Sequence, residues 1–276
     1  MQRLDWLEDG LIHEYEGALY GSVRFEKDLL LEKNGGGTMP VFDVKTVIVA
    51  AFPYMSGNVF GGNLSAYASV KDYHIVVKNH LSELCKRLSE QKKGSFACYT
   101  DVSPLNEVKA AAKAGLGVFG ENGLLITEKY GSYVFIGEIL TDVVFEKTTE
   151  KESIAGCIKC GKCRQNCLVK MDKERCISHI SQKRGELSET EKALLRAAGT
   201  AWGCDMCQRV CPMNKNARET GMADFLCDIK TTVTAQEITE TNKLFAEKYK
   251  DRAFNWRGRA VLKRNIELLN EAERTQ

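Results

Sequence analysis

The spacing of apolar and polar residues changes several times along the chain, and each change marks an element. "VKTVIVAAFPY" (44–54) is a β-branched apolar run closed by Pro53, the pattern of a buried strand. "NGGGTMP" before it (34–40) reads as a loop. Residues 65–93 contain neither proline nor glycine, and Tyr67, Val70, Ile75, Val77, Leu81, Leu84 and Leu88 recur at helical spacing. This predicts one long helix with its charges facing outward. "SFACYTD" (95–101) is the next strand, and "PLNEVKAAAKAG" (104–115) a helix opened by proline and ended by glycine. "GLLITEKYGSYVFIGEIL" (123–140) reads as two strands around a turn. Strands alternating with helices predict an α/β domain over 1–150. Further on, "SETEKALLRAAG" (188–199) and "GRAVLKRNIELLNEAE" (258–273) predict helices.

Composition narrows this picture. The chain has 276 residues, enough for a sizeable core, and its 43% hydrophobic and 28% charged residues place it among globular proteins. The net charge of +2 gives no global basic field. No apolar run approaches ~18 residues, so no membrane span is expected. The opening "MQRLDWLEDG" has acids where a signal peptide has an apolar stretch, which predicts a cytoplasmic protein.

Of eleven cysteines, eight fall between Cys157 and Cys211. In a reducing compartment, clustered thiols bind metal or do redox chemistry. "CIKCGKCRQNC" spaces Cys157, Cys160, Cys163 and Cys167 as C-x2-C-x2-C-x3-C, the bacterial ferredoxin run in which the fourth cysteine serves the other cluster. "GCDMCQRVCPMN" (203–214) repeats the x3 step from Cys207 to Cys211 and follows it with Pro212. The exchange predicts two [4Fe–4S] clusters, the first on Cys157, Cys160, Cys163 and Cys211. The second takes Cys167, Cys204 and Cys207, with Cys176 of "ERCISHI" as the remaining cysteine of the segment. Two zinc knuckles are the alternative, although zinc pairs are usually separated rather than run together. A ferredoxin-like double-cluster domain is therefore expected over 151–215, and a short helical C-terminal segment over 216–276. The predicted class is mixed α+β and α/β. Cys85 and Cys98 are expected to be buried small hydrophobes.

A ferredoxin needs only ~60 residues, so the long preceding domain is expected to hold what the clusters reduce. Asp101 ends a strand, and strand ends face ligand crevices in α/β sheets. Equally, Asp101 and Ser103 suit a helix start. "GLGVFGENG" is glycine-rich but is not a dinucleotide fingerprint.

With "KDYH" (71–74), "TDVSP" (100–104), "AGLGVFGENGLLI" (114–126), "GSYVFIGEILTD" (131–142), "RCIS" (175–178) and "GCDMCQRVCPMN" in this order, the chain resembles the epoxyqueuosine reductases. "LKRN" (262–265) matches more faintly. The same logic resembles reductive dehalogenases, which pair a corrinoid with two such clusters.

The resemblance implies an N-terminal cobalamin-binding domain, electron delivery by the two clusters, and reduction of the epoxide of epoxyqueuosine in tRNA to queuosine. It implies Asp101 as proton donor, with a pKa raised by an apolar corrin face and loss of water. Matching positions imply corrin contacts at Ser65, Asp101, Leu125, Ser178 and Asp205. Implied partners are tRNA and a low-potential electron donor such as a flavodoxin or ferredoxin, with the chain a monomer. The other readings are a corrinoid iron–sulfur reductase of a small molecule and a pure electron-transfer module.

The chain departs from the family pattern at Lys71 (usually arginine), Glu121 (lysine), Leu168 (proline), His179 (tyrosine) and Met213 (tryptophan), and it ends without the family's helical-repeat extension. These changes leave the cofactor residues in place and bear on the tRNA. "DRAFNWRGRAVLKRN" (251–265), with Arg252, Arg257, Arg259, Lys263 and Arg264, suits either a tRNA backbone or a solvated helix face, and Lys183 and Arg184 form a second small basic patch. His74 is expected to make a structural hydrogen bond.

Overall fold

The structure, a computed structural model, describes residues 5–31 and 36–274. In chain order the elements are β1 (His13–Tyr15), β2 (Ala18–Arg24), β3 (Thr46–Pro53), α1 (Ala66–Ser69), α2 (Tyr73–Gln91), β4 (Phe96–Thr100), α3 (Glu107–Lys113), β5 (Val118–Phe119), β6 (Leu125–Ile126) and β7 (Val134–Thr141). There follow α4 (Lys162–Asn166), α5 (Ile177–Gln182), α6 (Glu189–Ala198), α7 (Met206–Arg209), α8 (Ala223–Leu226), α9 (Asn242–Lys248) and α10 (Arg259–Arg274). Among the described residues no helix is long and apolar enough to cross a membrane.

The chain divides into two compact units. The first takes the segment up to Pro53, Tyr73–Lys159 and Lys215–Met222, and the second takes Tyr54–Asp72, Cys160–Asn214 and the segment from Ala223 onward. The expected divisions 1–150, 151–215 and 216–276 follow chain order, whereas these units interleave.

In the first unit, β1-β2-β3-β7-β4 form a sheet in which every neighbouring pair is antiparallel. The mixed α/β class stands, but the sheet has no parallel crossover of the kind that the alternation of strands and helices suggests. The rule that places ligands at the ends of parallel strands therefore does not apply to Asp101. The hairpin β1–β2, not expected from sequence, turns on Glu16 and Gly17, both with positive φ. That is the two-residue turn matching strand twist, and "EG" between short apolar stretches was its only local signal.

Each face of the sheet is covered by one helix. Val47, Val49, Ala51 and Leu140 pack against Ala110, Ala111 and Ala112 of α3. On the other face, Val77, Leu81, Leu84 and Leu88 of α2 are buried. Gly137 of β7 permits this approach, because a Cβ there would lie 2.7 Å from side-chain carbons of both Val77 and Leu81. A buried side chain of this kind contributes roughly 1.5–3 kcal/mol, so both helices are held by their apolar stripes rather than by propensity.

Three boundaries differ from the sequence reading. The single helix expected over 65–93 is broken between Ser69 and Tyr73, with Val70 extended. Tertiary partners take over the backbone groups at the break. Lys230 N–H and the Arg252 guanidinium donate to Ser69 O, and Asp72 N–H donates to Asp251 O. The helix expected from Pro104 begins at Glu107, because Asn106 caps it by accepting from Lys109 N–H. The strands of 123–140 pair with different neighbours, β6 with β5 and β7 with β3 and β4. Of the expected loop 34–40, Asn34 and Gly35 lie outside the described residues.

In the second unit, Trp202, Phe245, Phe254, Leu262 and Ile266 form one core. Val169, Ile177, Ile180, Leu187, Leu195 and Leu268 form another, against which Cys167 and Cys204 pack. α6 and α10 lie where periodicity placed them, and a reciprocal Ser188–Glu191 capping box starts α6.

Candidate active site and cysteine clusters

Asp101 leaves β4 with φ +65°. Aspartate is among the few residues that enter this left-handed region readily. Its carboxylate accepts from Tyr73 Oη at 2.8 Å and lies 3.4 Å from His74 Nε2, both at the start of α2. Tyr73 is itself clamped by stacking on Phe135, with ring centroids 4.4 Å apart. His74, and with it Tyr73, holds the Asp101 carboxyl below its usual range, against the opposing effect of burial. The expected rise was tied to a corrin face; among the chain's own groups, the two donors outweigh burial. Neither Asp101 nor Ser103 caps α3. Ser103 Oγ instead donates to Glu138 and accepts from Leu105 N–H.

The sequence reading missed two acids here. Glu138 lies mid-strand in β7, opposite Val49 and Tyr99, and is fully buried. Glu107, the first residue of α3, accepts from the Asp101 backbone N–H. Both Oε1 atoms are enclosed without a partner. Burial pushes Glu107 up to about 9, reinforced by repulsion from Glu138 and Asp101, and burial pushes Glu138 up to about 7 against the Ser103 hydroxyl. Glutamate in "NEV" and "GEI" carries no mark of burial; only the sheet register and the helix start enclose them.

These acids make stability fall with rising pH. Between the unfolded value near ~4.3 and folded values of about 9 for Glu107 and about 7 for Glu138, the native chain binds more protons than the unfolded one, and each group costs up to about 1.4 kcal/mol per pH unit within its own window. Below that window both states are protonated and the cost vanishes. Glu107→Gln keeps the acceptor for Asp101 N–H and cannot ionise. Anaerobic urea unfolding should therefore show it more stable than the parent at pH 8 and nearly equal at pH 4.5. An advantage that is the same at both pH values would mean that Glu107 is ionised in the folded chain.

Cys85 of α2 and Cys98 of β4 are half-buried and hydrogen-bonded to each other, rather than inert core residues. The bond to Cys85 pulls Cys98 down to about 6 against burial, with help from Ser82 and Lys78. The same bond, with burial, raises Cys85.

Among the cluster cysteines, Cys157 Sγ accepts from Glu121 N–H at 3.3 Å, and its own N–H donates to Phe119 O. In the second unit, Cys167 Sγ accepts from Met171 N–H at 3.4 Å. Lys170 and Met171 both have positive φ, which turns the chain back toward the sulfur after Leu168, where the family usually has proline. Cys204 accepts from the Met206 backbone and is pushed up to about 11, first by burial and then by the neighbouring Cys176, Asp205 and Cys167. Three of the four sulfurs assigned to the second cluster thus share one neighbourhood. Cys207 stands on α7, and Cys163 on α4, which packs against α7. Cys211 follows α7, and Cys160 is exposed before α4. Among the described residues, no three His, Cys, Asp or Glu side chains are grouped tightly enough for a single metal ion; a four-iron cube holds its thiolates further apart. Backbone N–H bonds to the sulfurs fit such clusters, since they stabilise thiolate charge.

Of the positions matched to corrin contacts, Ser65 and Asp205 are near each other, since Asp205 bonds the N–H of Ala66, the residue after Ser65. Ser65 is 3% exposed, yet its Oγ has no partner. A Cβ at Gly203 would collide with that oxygen. Asp205 accepts from Ala66 N–H at 2.7 Å and is pushed up to about 6 by burial, against that bond and Arg209. An orphaned hydroxyl beside a buried carboxyl fits a hydrogen-bonding rim for a corrin. Ser178, on α5, receives a weak bond from Gln182 Nε2 at 3.4 Å. The Leu125 side chain is in the core beneath α3, which leaves only its backbone to reach a ligand.

The basic stretch is mostly committed within the second unit. Arg252 is buried on Ser69 O and Asp228 O, Arg259 bonds Ile238 O, and Arg264 bonds Lys183 O and Gly185 O. Lys263 pairs with Glu267. Neither a continuous phosphate-binding row nor a fully solvated face describes it.

A mixed α/β fold with a strand-end aspartate and a ferredoxin-type set of cysteines defines the class. Residues 39–102 match the family described as "Epoxyqueuosine reductase QueG, DUF1730". The chain is 33% identical over 218 residues to the epoxyqueuosine reductase of Lactococcus garvieae, covering 74% of this chain and 60% of that one. It is 31% identical over 235 residues to that of Aliivibrio fischeri, covering 80% and 61%. The chain thus spans about 60% of the length of these curated relatives. Among solved structures, a selenomethionine-labelled epoxyqueuosine reductase superposes with TM-score 0.72 at 25% identity, over 82% of this chain and 64% of that one. An epoxyqueuosine reductase solved with an epoxyqueuosine-modified tRNA-Tyr stem loop shares the fold at TM-score 0.78 and 21% identity, over 96% and 79%. This chain is a relative of the epoxyqueuosine reductases.

Proposed function

We propose that this chain reduces the epoxide of epoxyqueuosine in tRNA to queuosine, using cobalamin and two [4Fe–4S] clusters, with Asp101 as the proton donor. The observation that carries the reading is the Asp101 carboxylate, held on a left-handed strand end by Tyr73 and His74. The names of the relatives and the order of the shared motifs supply the substrate.

When bound, the corrinoid supplies the electron pair that opens the epoxide, and the clusters supply the electrons that restore it. Cys157, Cys160, Cys163 and Cys211 would hold one cluster, and Cys167, Cys176, Cys204 and Cys207 the other. Electrons would come from a low-potential donor such as a flavodoxin or ferredoxin. Ser65, Ser178 and Asp205 would bind the corrin through polar contacts, and Leu125 through its backbone.

Opening an epoxide leaves an oxygen that needs a proton. Among the chain's own groups, His74 and Tyr73 lower the Asp101 pKa against burial. In this reading the Asp101 carboxyl passes a proton to the leaving oxygen, while His74 and Tyr73 fix that carboxyl's orientation. Glu107, protonated at pH 7, keeps a second acid beside Asp101 without adding a charge that would repel its anion.

The test is conversion of an epoxyqueuosine-bearing anticodon stem-loop by the anaerobically reconstituted chain with cobalamin and a chemical reductant, read by mass spectrometry of the nucleosides. Queuosine is the expected product. Bound corrinoid without conversion would turn the assignment to a small-molecule reductase, and a chain that takes up clusters but no corrinoid would turn it to an electron carrier.

A further inference from the structure

Most cations of 251–265 are spent on backbone carbonyls, but one is placed differently. The Arg257 guanidinium lies 3.5 Å from the centre of the Trp256 ring, and its Nε is buried without a partner. Trp256 is 54% exposed, in contrast to the fully buried Trp202. Its position is fixed all the same, because Nε1 donates to Gln182 Oε1 at 3.3 Å. The two residues line a cavity of about 440 Å³ in the second unit, together with Arg184, Arg259, Asn242 and Asn255, and no acid is among its lining residues. Arg184, from the second small basic patch of the sequence, is thereby joined to the first.

A cavity of this size suits a small organic group. Arg184 and Arg257, with no carboxylate in the lining, favour an anion, and an exposed indole held in place is a stacking platform for a planar ring. A merely solvated helix face would need neither an anchored tryptophan nor an enclosed guanidinium nitrogen. A planar ring joined to an anion is the chemistry of a nucleotide, and stacking with arginine contacts is how unpaired RNA bases are held.

We propose that this cavity seats one unpaired nucleotide of an RNA, its base on the indole face that Arg257 leaves open and its phosphate on Arg184 and Arg257. That the RNA is the tRNA substrate rests on the function proposed above; the seat itself rests on the cavity. The site needs no contribution from the cofactors, so binding can be read without turnover.

The experiment measures binding of a fluorescently labelled anticodon stem-loop to the reconstituted chain by anisotropy at several salt concentrations. Trp256→Ala should weaken binding about 5- to 100-fold, the range for loss of one stacked base, while Trp256→Phe should retain most of it. Arg184→Ala, at an exposed position, should leave the fold intact and reduce the slope of log K against log salt by about one. Affinities within twofold of the parent for Trp256→Ala, or an unchanged slope for Arg184→Ala, would overturn the seat. Should the parent bind the stem-loop through Trp256 but never convert epoxyqueuosine, the seat stands and the proposed reaction falls. Conversion by a Trp256→Ala variant that binds as tightly as the parent would leave the reaction standing and remove the seat.

Discussion

Under the proposed function, Asp101→Asn is expected to lower epoxyqueuosine reduction by ~10²-fold or more while corrinoid and iron contents stay at parental levels. Asparagine is the informative replacement because it also tolerates the left-handed backbone at φ +65°, so the turn out of β4 survives. Its amide oxygen can still accept from Tyr73 Oη, as Oδ1 does now at 2.8 Å. What it cannot do is accept from His74 on the other side, because an amide nitrogen stands where a carboxylate oxygen was. Nor can it take up and release a proton. The loss should lie in kcat rather than in substrate affinity, since in the proposed reaction the group acts as charge develops on the leaving oxygen. Turnover within a few-fold of the parent would remove Asp101 from the chemistry and leave it a positioning role at the strand end.

Removal of one thiol from the second cysteine set should be equally plain. With the two proposed clusters, Cys176→Ala is expected to bring the chain from about eight iron atoms to about four after oxygen-free reconstitution, and to abolish the proposed reduction of epoxyqueuosine in the stem-loop. Cys176 sits at the N-cap position of α5, but its side chain makes no capping bond, so alanine costs the helix little. Its sulfur instead lies in the neighbourhood that raises Cys204, together with Cys167. Iron analysis with Mössbauer spectroscopy gives the count and the cluster type. An unchanged count would place the fourth ligand elsewhere, and zinc in place of iron would revive the paired-knuckle reading.

The cysteine spacing is legible because it is local. Spacings of two and three residues between thiols constrain a short piece of backbone whatever surrounds it. The helices over 188–198 and 259–274 were legible for a similar reason, as each carries its own period and the first its own cap. The helix over 65–93 shows where this logic stops. Its apolar spacing is continuous through Val70, yet the chain breaks there because Ser69 O is claimed by Lys230 and Arg252, more than 150 positions away in sequence. The groups that face Asp101 were likewise not legible in the sequence. The start of α2 brings Tyr73 and His74 to its carboxylate, a pairing of segments some 28 residues apart.

From sequence alone came the double-cluster cysteine pattern, Asp101 as a candidate acid, and the kinship with epoxyqueuosine reductases, all of them properties of short stretches read in order. Tertiary structure alone decided which charges are free. It enclosed the Glu107 and Glu138 carboxyls, committed Arg252, Arg259 and Arg264 to carbonyls, and left Arg257 against an exposed indole. The reason is physical: a residue's type sets what it can donate or accept, but burial and partners arise only when distant segments pack, and those determine whether its charge is available.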